Sequence, residues 1–193
     1  MLIRQGEKIV FFGDSLTQRT DLNESEHPAR RYSLDYAGSY VDILVKRLLI
    51  HFPQLEFTFY NRGVGGDTIR HLLERYSHDV APLHPTMMIL WIGQNDAKAL
   101  DPAHFEQGLR CLLEWCGQDR IQVVVLSTSA HRSHEKMVAL EQVDNILRRV
   151  SGEKGLPFID VKSPMLAVME HNRQAICPTQ LFTTGSHLSE LGN

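Results

Sequence analysis

Ser15 is the residue of this sequence best placed to do chemistry. It follows the hydrophobic run Lys8 to Phe12 and the pair Gly13-Asp14. An apolar run that ends in this way is typical of a buried strand followed by a tight turn, and open α/β sheets bind ligands at the carboxyl ends of their strands. We therefore expect the Ser15 hydroxyl to face a crevice, where it would become a nucleophile once a base takes its proton.

His187 is the best candidate for that base, because it lies in a loop-like stretch, 184–192, rich in glycine and small polar residues. Two further segments end strand-like runs in glycine and in amide or carboxylate residues. Segment 61–67 follows the run 57–60, and segment 93–96 follows the run 87–92.

The four segments, in this order and spacing, resemble the motif blocks of the SGNH (GDSL) hydrolase family of esterases and lipases. The resemblance covers nearly the whole chain, and it is specific because four separated motifs agree. It implies that Ser15 is the nucleophile and His187 the general base. It also implies an oxyanion hole formed by the backbone N–H groups of Ser15 and Gly66 and by the side-chain amide of Asn95.

The residue types suit an oxyanion hole. Each preorganised donor stabilises the developing oxyanion by about 3–4 kcal/mol. Gly66 can take positive φ, the pair Asp67-Thr68 can cap a following helix, and Asn95 carries a neutral N–H₂ donor. The same residues would also serve as an ordinary strand-to-helix turn and a helix cap.

Thr184 departs from the family pattern, which has an aspartate three residues before the histidine. Threonine can accept a hydrogen bond but has no charge to offset imidazolium, and a neutral amide at this triad position costs about 10⁴ in turnover in serine proteases. Three interpretations stay open: a natural Ser–His dyad, a weak or inactive relative, or an engineered change. Asp160 and Glu190 are alternative acids, although each is more typical of a strand end or a surface.

The pattern of apolar residues predicts alternating strands and helices. The predicted strands are 8–12, 56–60, 87–92, 122–127 and 157–160, and the predicted helices include 40–49, one from Thr68, one capped by Asp101-Pro102, and 135–150. Strands joined by crossover helices require a parallel sheet, hence a three-layer α/β/α sandwich. The resemblance implies five parallel strands in flavodoxin-like order.

Composition indicates one domain, residues 1–193. The chain is 42% hydrophobic and has a net charge of −3, which gives no reason to expect nucleic-acid binding. We expect no cofactor, no metal and no membrane span. The three cysteines form no disulfide framework, and the N-terminus lacks a signal-peptide core, so we expect a cytoplasmic protein.

The sequence stops at Asn193, where the family places a further helix. Without that helix an apolar sheet face would be exposed, which would favour a partner chain, including a second copy, or lower stability.

Two other regions could approach the site. His131 and His134 follow the strand 122–127 and could lie at its rim, but as a metal site they lack a third ligand. The long polar segment 20–38 could line a substrate pocket through Arg30, Arg31 and Tyr32, or be a solvated loop.

These patterns predict a serine esterase that hydrolyses small acyl esters, with acetyl esters as first choice, through an acyl-enzyme. A thioesterase or lysophospholipase of the same family remains open. So does a relative that binds acylated ligands with little turnover because of Thr184.

Overall fold

A computed structural model of the chain describes residues 3–18 and 39–173. Its centre is a five-stranded sheet in the order β2-β1-β3-β4-β5, and every neighbouring pair is parallel. The strands are β1 (Lys8–Gly13), β2 (Thr58–Gly63), β3 (Met87–Trp91), β4 (Gln122–Leu126) and β5 (Phe158–Ile159). The predicted five-stranded parallel sheet is confirmed, with boundaries that differ by up to two residues at most strand ends and by three at the end of β2.

Five helices connect and cover these strands: α1 (Tyr40–His51), α2 (Ile69–Asp79), α3 (Pro102–Gln118), α4 (His134–Glu153) and α5 (Lys162–Arg173). Asp101 accepts the N–H of His104 at 3.1 Å, so the predicted cap of α3 is present. Helix α5 was not anticipated by the sequence pattern. It begins where Asp160 accepts the N–H of Ser163 at 3.0 Å.

The helices form two layers, one on each face of the sheet. Alternate residues of β1 explain why both faces are covered: Val10 and Phe12 point into the core with α2, α3 and α4, whereas Ile9 and Phe11 pack with α1. Helix α5 packs beside α1, with Met165 against a core cluster that includes Trp91. A parallel strand buried on both faces reads as a continuous apolar run, as β1 does.

The order of the strands fixes where a ligand can bind. The chain passes from β1 outward to β2 and then back across to β3, so the connections diverge between β1 and β3. Open α/β sheets form a crevice at the carboxyl ends of such strands. Register pairs Gly13 with both Gly63 and Trp91, which brings the segments after β1, β2 and β3 to one edge of the sheet.

Candidate active site

Ser15 lies in a tight turn directly after β1 and is half-buried. Asp14 organises this turn: its backbone carbonyl accepts the N–H groups of Thr17 and Gln18, and its Oδ1 accepts the N–H of Leu16 at 2.9 Å. The backbone carbonyl and the side chain of Asp14 therefore hold the three residues that follow Ser15, and with them the turn in which the serine lies.

The Asp14 carboxyl is almost completely buried, at 1% exposure. Burial raises its pKa to about 7, with Asp96 and Asp67 adding to the increase and the hydrogen bond from Leu16 opposing it. Its Oδ2 has no hydrogen-bond partner among the residues described. Asp14 is therefore a carboxyl that changes charge near neutral pH, immediately beside the candidate nucleophile.

The end of β2 holds the same turn from the other side. The side chain of Asn61 donates to the carbonyl of Thr17 at 2.8 Å and accepts the N–H of Gly63 at 2.9 Å. Gly63 lies so close to this turn that a Cβ would collide with the backbone of Thr17 and Gln18. Glycine is therefore required there for β2 to approach the nucleophile turn.

Gly66 lies in the exposed loop between β2 and α2 and has φ +83°. This conformation is the left-handed one that the sequence predicted glycine would allow. The same loop adjoins the nucleophile turn, since Gln18 accepts the N–H of Gly65 through its Oε1. Thr68 is the N-cap of α2, as predicted, and its backbone N–H donates to His71 Nδ1 at 3.1 Å.

Asn95 follows β3 and is half-buried. Its Nδ2 donates to the backbone carbonyl of Asp67 at 3.0 Å, and its Oδ1 accepts from Lys98 Nζ at 2.7 Å. Because Oδ1 is held by a cation, the amide is oriented with its N–H₂ group toward the loop that contains Gly66. An amide has two N–H hydrogens, and one of them remains for a ligand.

Asp96, next to Asn95, caps a helix other than its own. Its Oδ1 accepts the N–H of Ile69, the first residue of α2, at 3.0 Å. Burial raises the pKa of this carboxyl to about 6. The segments after β2 and β3 are thus joined by two hydrogen bonds, one from each residue of the Asn95-Asp96 pair.

Arg75 of α2 joins the ends of the first two strands. Its Nη2 donates to the carbonyls of Gly13 at 3.0 Å and Arg62 at 2.8 Å. Its Nε donates to the carboxylate of Asp67 at 2.7 Å, and its Nη1 donates to the carboxylate of Asp79 at 2.9 Å. The guanidinium also lies over the ring of Phe12, 4.3 Å from its centroid. Four of its five N–H hydrogens are used in these hydrogen bonds, an arrangement that lysine, with three donors, could not reproduce.

Comparison with known proteins shows the family to which this chain belongs. Residues 11–193 match the model of the GDSL-like Lipase/Acylhydrolase family. The chain belongs to that family. This GDSL-like chain is 35% identical over 97 residues to an acetylxylan esterase of Geobacillus stearothermophilus, an alignment that covers 50% of this chain but only 42% of the relative.

Solved structures show the same fold. An acetylxylan esterase of Geobacillus stearothermophilus, Axe2, superposes with a TM-score of 0.82 at 22% identity, covering 100% of this chain and 91% of that one. The acetyl xylan esterase AlAXEase superposes with a TM-score of 0.78 at 22% identity, covering 96% and 93% of the two chains. The α/β/α sandwich expected for a GDSL-like protein is therefore confirmed.

The described residues bring together part of the predicted site. Ser15, Gly66 and Asn95 all follow adjacent strands at one edge of the sheet. His187 and Thr184 lie outside the described residues, as do Glu190, the whole segment 20–38 and the end of the chain. Those expectations stay predictions.

Asp160, the other alternative acid, caps the start of α5. Its Oδ1 and Oδ2 accept from the N–H and Oγ of Ser163 at 3.0 and 2.7 Å, and these hydrogen bonds lower its pKa. This capping explains its position at a strand end without a catalytic role. Within residues 3–18 and 39–173 no helix is long and apolar enough to cross a membrane.

Sequence reasoning missed Arg75 and the helix-capping role of Asp96 in this GDSL-like site. The sequence indicated only that Asn95-Asp96 could cap a helix that follows it. The helix that Asp96 caps instead begins at Ile69, 27 residues earlier. Nothing in the sequence distinguished Arg75 from any other charged residue of a predicted helix. Its partner Gly13 is 62 residues away, a pairing that only the packing of α2 against the sheet creates.

Proposed function

We propose that this protein is a serine esterase that hydrolyses small acyl esters, acetyl esters first among them, through an acyl-enzyme. One observation carries the proposal: Ser15, Gly66 and Asn95 follow the carboxyl ends of β1, β2 and β3, which are neighbours in the sheet. A serine hydroxyl, a glycine N–H in a left-handed loop and an oriented amide are the parts that acyl transfer requires.

In the proposed reaction the Ser15 oxygen attacks the ester carbonyl while His187 takes the hydroxyl proton. The carbonyl oxygen becomes an oxyanion, held by the N–H groups of Ser15 and Gly66 and by Asn95 Nδ2. When the tetrahedral intermediate collapses, the bond to the alcohol breaks and His187 protonates the departing oxygen. His187 then activates water, which attacks the acyl-enzyme and releases the carboxylic acid and free Ser15.

The acetyl preference is supported by the relatives, two of which are named acetylxylan esterases. The first test is hydrolysis of 4-nitrophenyl esters with acyl chains of increasing length. We expect the acetyl ester to be turned over fastest and the Ser15→Ala variant to be inactive. An exposed serine offers a matched control: Ser77→Ala on α2 should leave the rate unchanged.

The alternative that Thr184 raises is a protein that binds acyl ligands with little turnover. A fluorophosphonate probe separates the two, because it labels only a serine that a base activates. Labelling of wild type that is absent from Ser15→Ala supports the esterase. Ester binding without labelling of Ser15 would contradict it and favour the binding protein.

A further inference from the structure

A small pocket lies beside Asn95, on the side of β4. It is shallow, with a cavity volume of about 20 Å³, and its lining comes from the segment after β3, the loop after β4 and helix α4: Gln94, Ala97, Lys98, His131, Lys136 and Leu140. Lys98 connects the pocket to the candidate oxyanion hole, since its Nζ donates to Asn95 Oδ1 at 2.7 Å. A group bound here would therefore be close to an ester held at Ser15.

His131 lines this pocket and has a buried ring nitrogen, Nε2, without a described partner. The backbone N–H of Ser133 donates to its Nδ1 at 2.9 Å, so Nδ1 acts as an acceptor and the neutral ring carries its hydrogen on Nε2. Burial, together with the charge of Lys136, lowers the pKa of His131, which favours this neutral form. The side chain is only 7% exposed, and no described residue accepts a hydrogen bond from Nε2.

An unsatisfied buried donor is costly to the protein, so this one suits a ligand that brings an acceptor. The charges around it favour an anionic acceptor. Lys98 and Lys136 both line the pocket, and among residues 3–18 and 39–173 no carboxylate does. The Oε1 of Gln94 is also buried without a partner among the described residues and could accept from a hydroxyl on the same ligand.

We propose that this pocket is a subsite for a carboxylate carried by the ester substrate, bound by His131 Nε2 and the Lys136 ammonium. A carboxylate fits better than a phosphate because the lining offers one buried N–H and ammonium groups but no guanidinium fork. The inference rests on the proposed esterase function and narrows its substrate class to esters with an acidic group, such as those of an acidic sugar.

The kinetic test uses two matched pairs of esters. In the first pair, mono-4-nitrophenyl succinate carries a carboxylate on the acyl side and 4-nitrophenyl butyrate is its neutral counterpart. In the second pair, 4-acetoxybenzoate carries a carboxylate on the alcohol side and phenyl acetate is its neutral counterpart. Lys136→Gln should lower kcat/KM by about fivefold for the acidic member of at least one pair and leave the neutral member unchanged. His131→Asn, which can still accept from Ser133 but lacks Nε2, should have the same selective effect.

Lys46→Gln is the charge-matched control, because Lys46 lies on α1, on the opposite face of the sheet, and is 67% exposed. It should change neither member of a pair. If Lys136→Gln affects acidic and neutral esters equally, or neither, the subsite is wrong while the esterase proposal stands.

A binding experiment keeps the two proposals separable. If the wild type hydrolyses none of the four esters, the esterase proposal fails, and NMR of the ¹⁵N-labelled His131 ring still tests the subsite. Titration with benzoate should shift the Nε2 signal saturably, benzyl alcohol should not, and Lys136→Gln should weaken the benzoate effect. An Nε2 signal that does not respond to benzoate overturns the subsite.

Discussion

The side chain of Asn95 donates a hydrogen bond to the backbone carbonyl of Asp67 across 3.0 Å, joining the loops that follow β3 and β2. The candidate amide donor is therefore tied to the loop that presents the candidate backbone donor, Gly66. A shift in either loop would move both donors relative to Ser15.

Replacing Asn95 tests this arrangement. Asn95→Ala removes a donor that acts mainly on the transition state, so we expect kcat to fall about 10²–10³-fold while KM changes little. Steady-state kinetics with 4-nitrophenyl acetate measure the effect. Asn145→Ala, on the exposed side of α4, is the matched control and should be neutral. A loss confined to KM would contradict the assigned role.

Arg75 should matter for both stability and activity. Arg75→Met removes the guanidinium that pairs with the carboxylates of Asp67 and Asp79, so we expect the free energy of unfolding to fall by about 3–5 kcal/mol. We also expect a lower kcat in the folded variant, because the Gly13 carbonyl, next to the nucleophile turn, loses one of its two donors and keeps only the N–H of Val64. Urea denaturation and kinetics below the transition measure the two effects.

Arg70 provides the comparison on the same helix. Its side chain is 64% exposed, with an ion pair to Glu74 at 3.7 Å and a contact with His71 Nε2 at 3.4 Å, so Arg70→Met should change stability by less than about 1 kcal/mol. Equal effects of the two substitutions would show that the network of Arg75 is no more than a surface contact.

Asp14 should make stability depend on pH. Its pKa is raised from 3.8 to about 7 in the folded protein, so between these values the folded state holds a proton that the unfolded state has lost. Its stabilising contribution is complete below about pH 4 and is lost as the pH rises to about 7, by up to about 1 kcal/mol per pH unit.

The measurement is urea denaturation between pH 4.5 and 7.5. Asp14→Asn keeps an acceptor for the N–H of Leu16 but cannot titrate, so its stability should fall less steeply with pH than that of the wild type. Asp96 titrates in the same direction and remains in both proteins. Parallel curves for the two proteins would refute the raised pKa of Asp14.

We expect that a side chain at Gly66 would be unfavourable, although there is space for one. Among the residues that the structure describes, no atom lies within 4 Å of a Cβ built there, but φ +83° is unfavourable for alanine. We expect Gly66→Ala to cost about 1 kcal/mol and to lower kcat by moving the N–H donor. Gly117→Ala, in α3 with equally open space, should instead stabilise the protein. Thermal denaturation of both variants distinguishes strain from crowding.

Thr184 is tested by restoring the carboxylate of the family motif. We expect Thr184→Asp to raise kcat by orders of magnitude, because a carboxylate orients the imidazole and offsets its charge. Thr183→Asp adds the same charge one residue earlier and should not. A wild type that is already fast and gains nothing from Thr184→Asp would mean that another group orients His187.

The sequence predicted the sheet because its signals are local. A buried parallel strand needs a continuous apolar run, and the runs of β1, β3 and β4 can be seen without any partner. The motif residues Ser15, Gly66 and Asn95 were found because the segments that follow strand-like runs resemble the motif blocks of the family. Helix α5 was missed because Pro164 and a short preceding strand weakened its pattern.

What the sequence determined by itself was the order of the elements, the family, and the residues that come at the strand ends. The tertiary structure decided which of those residues support one another: Arg75 with Gly13, Asp96 with Ile69, and Asn95 with Asp67. It also set the raised pKa of Asp14 and the tautomer of His131. These properties depend on burial and on partners distant in sequence, and packing alone brings those partners within hydrogen-bond distance.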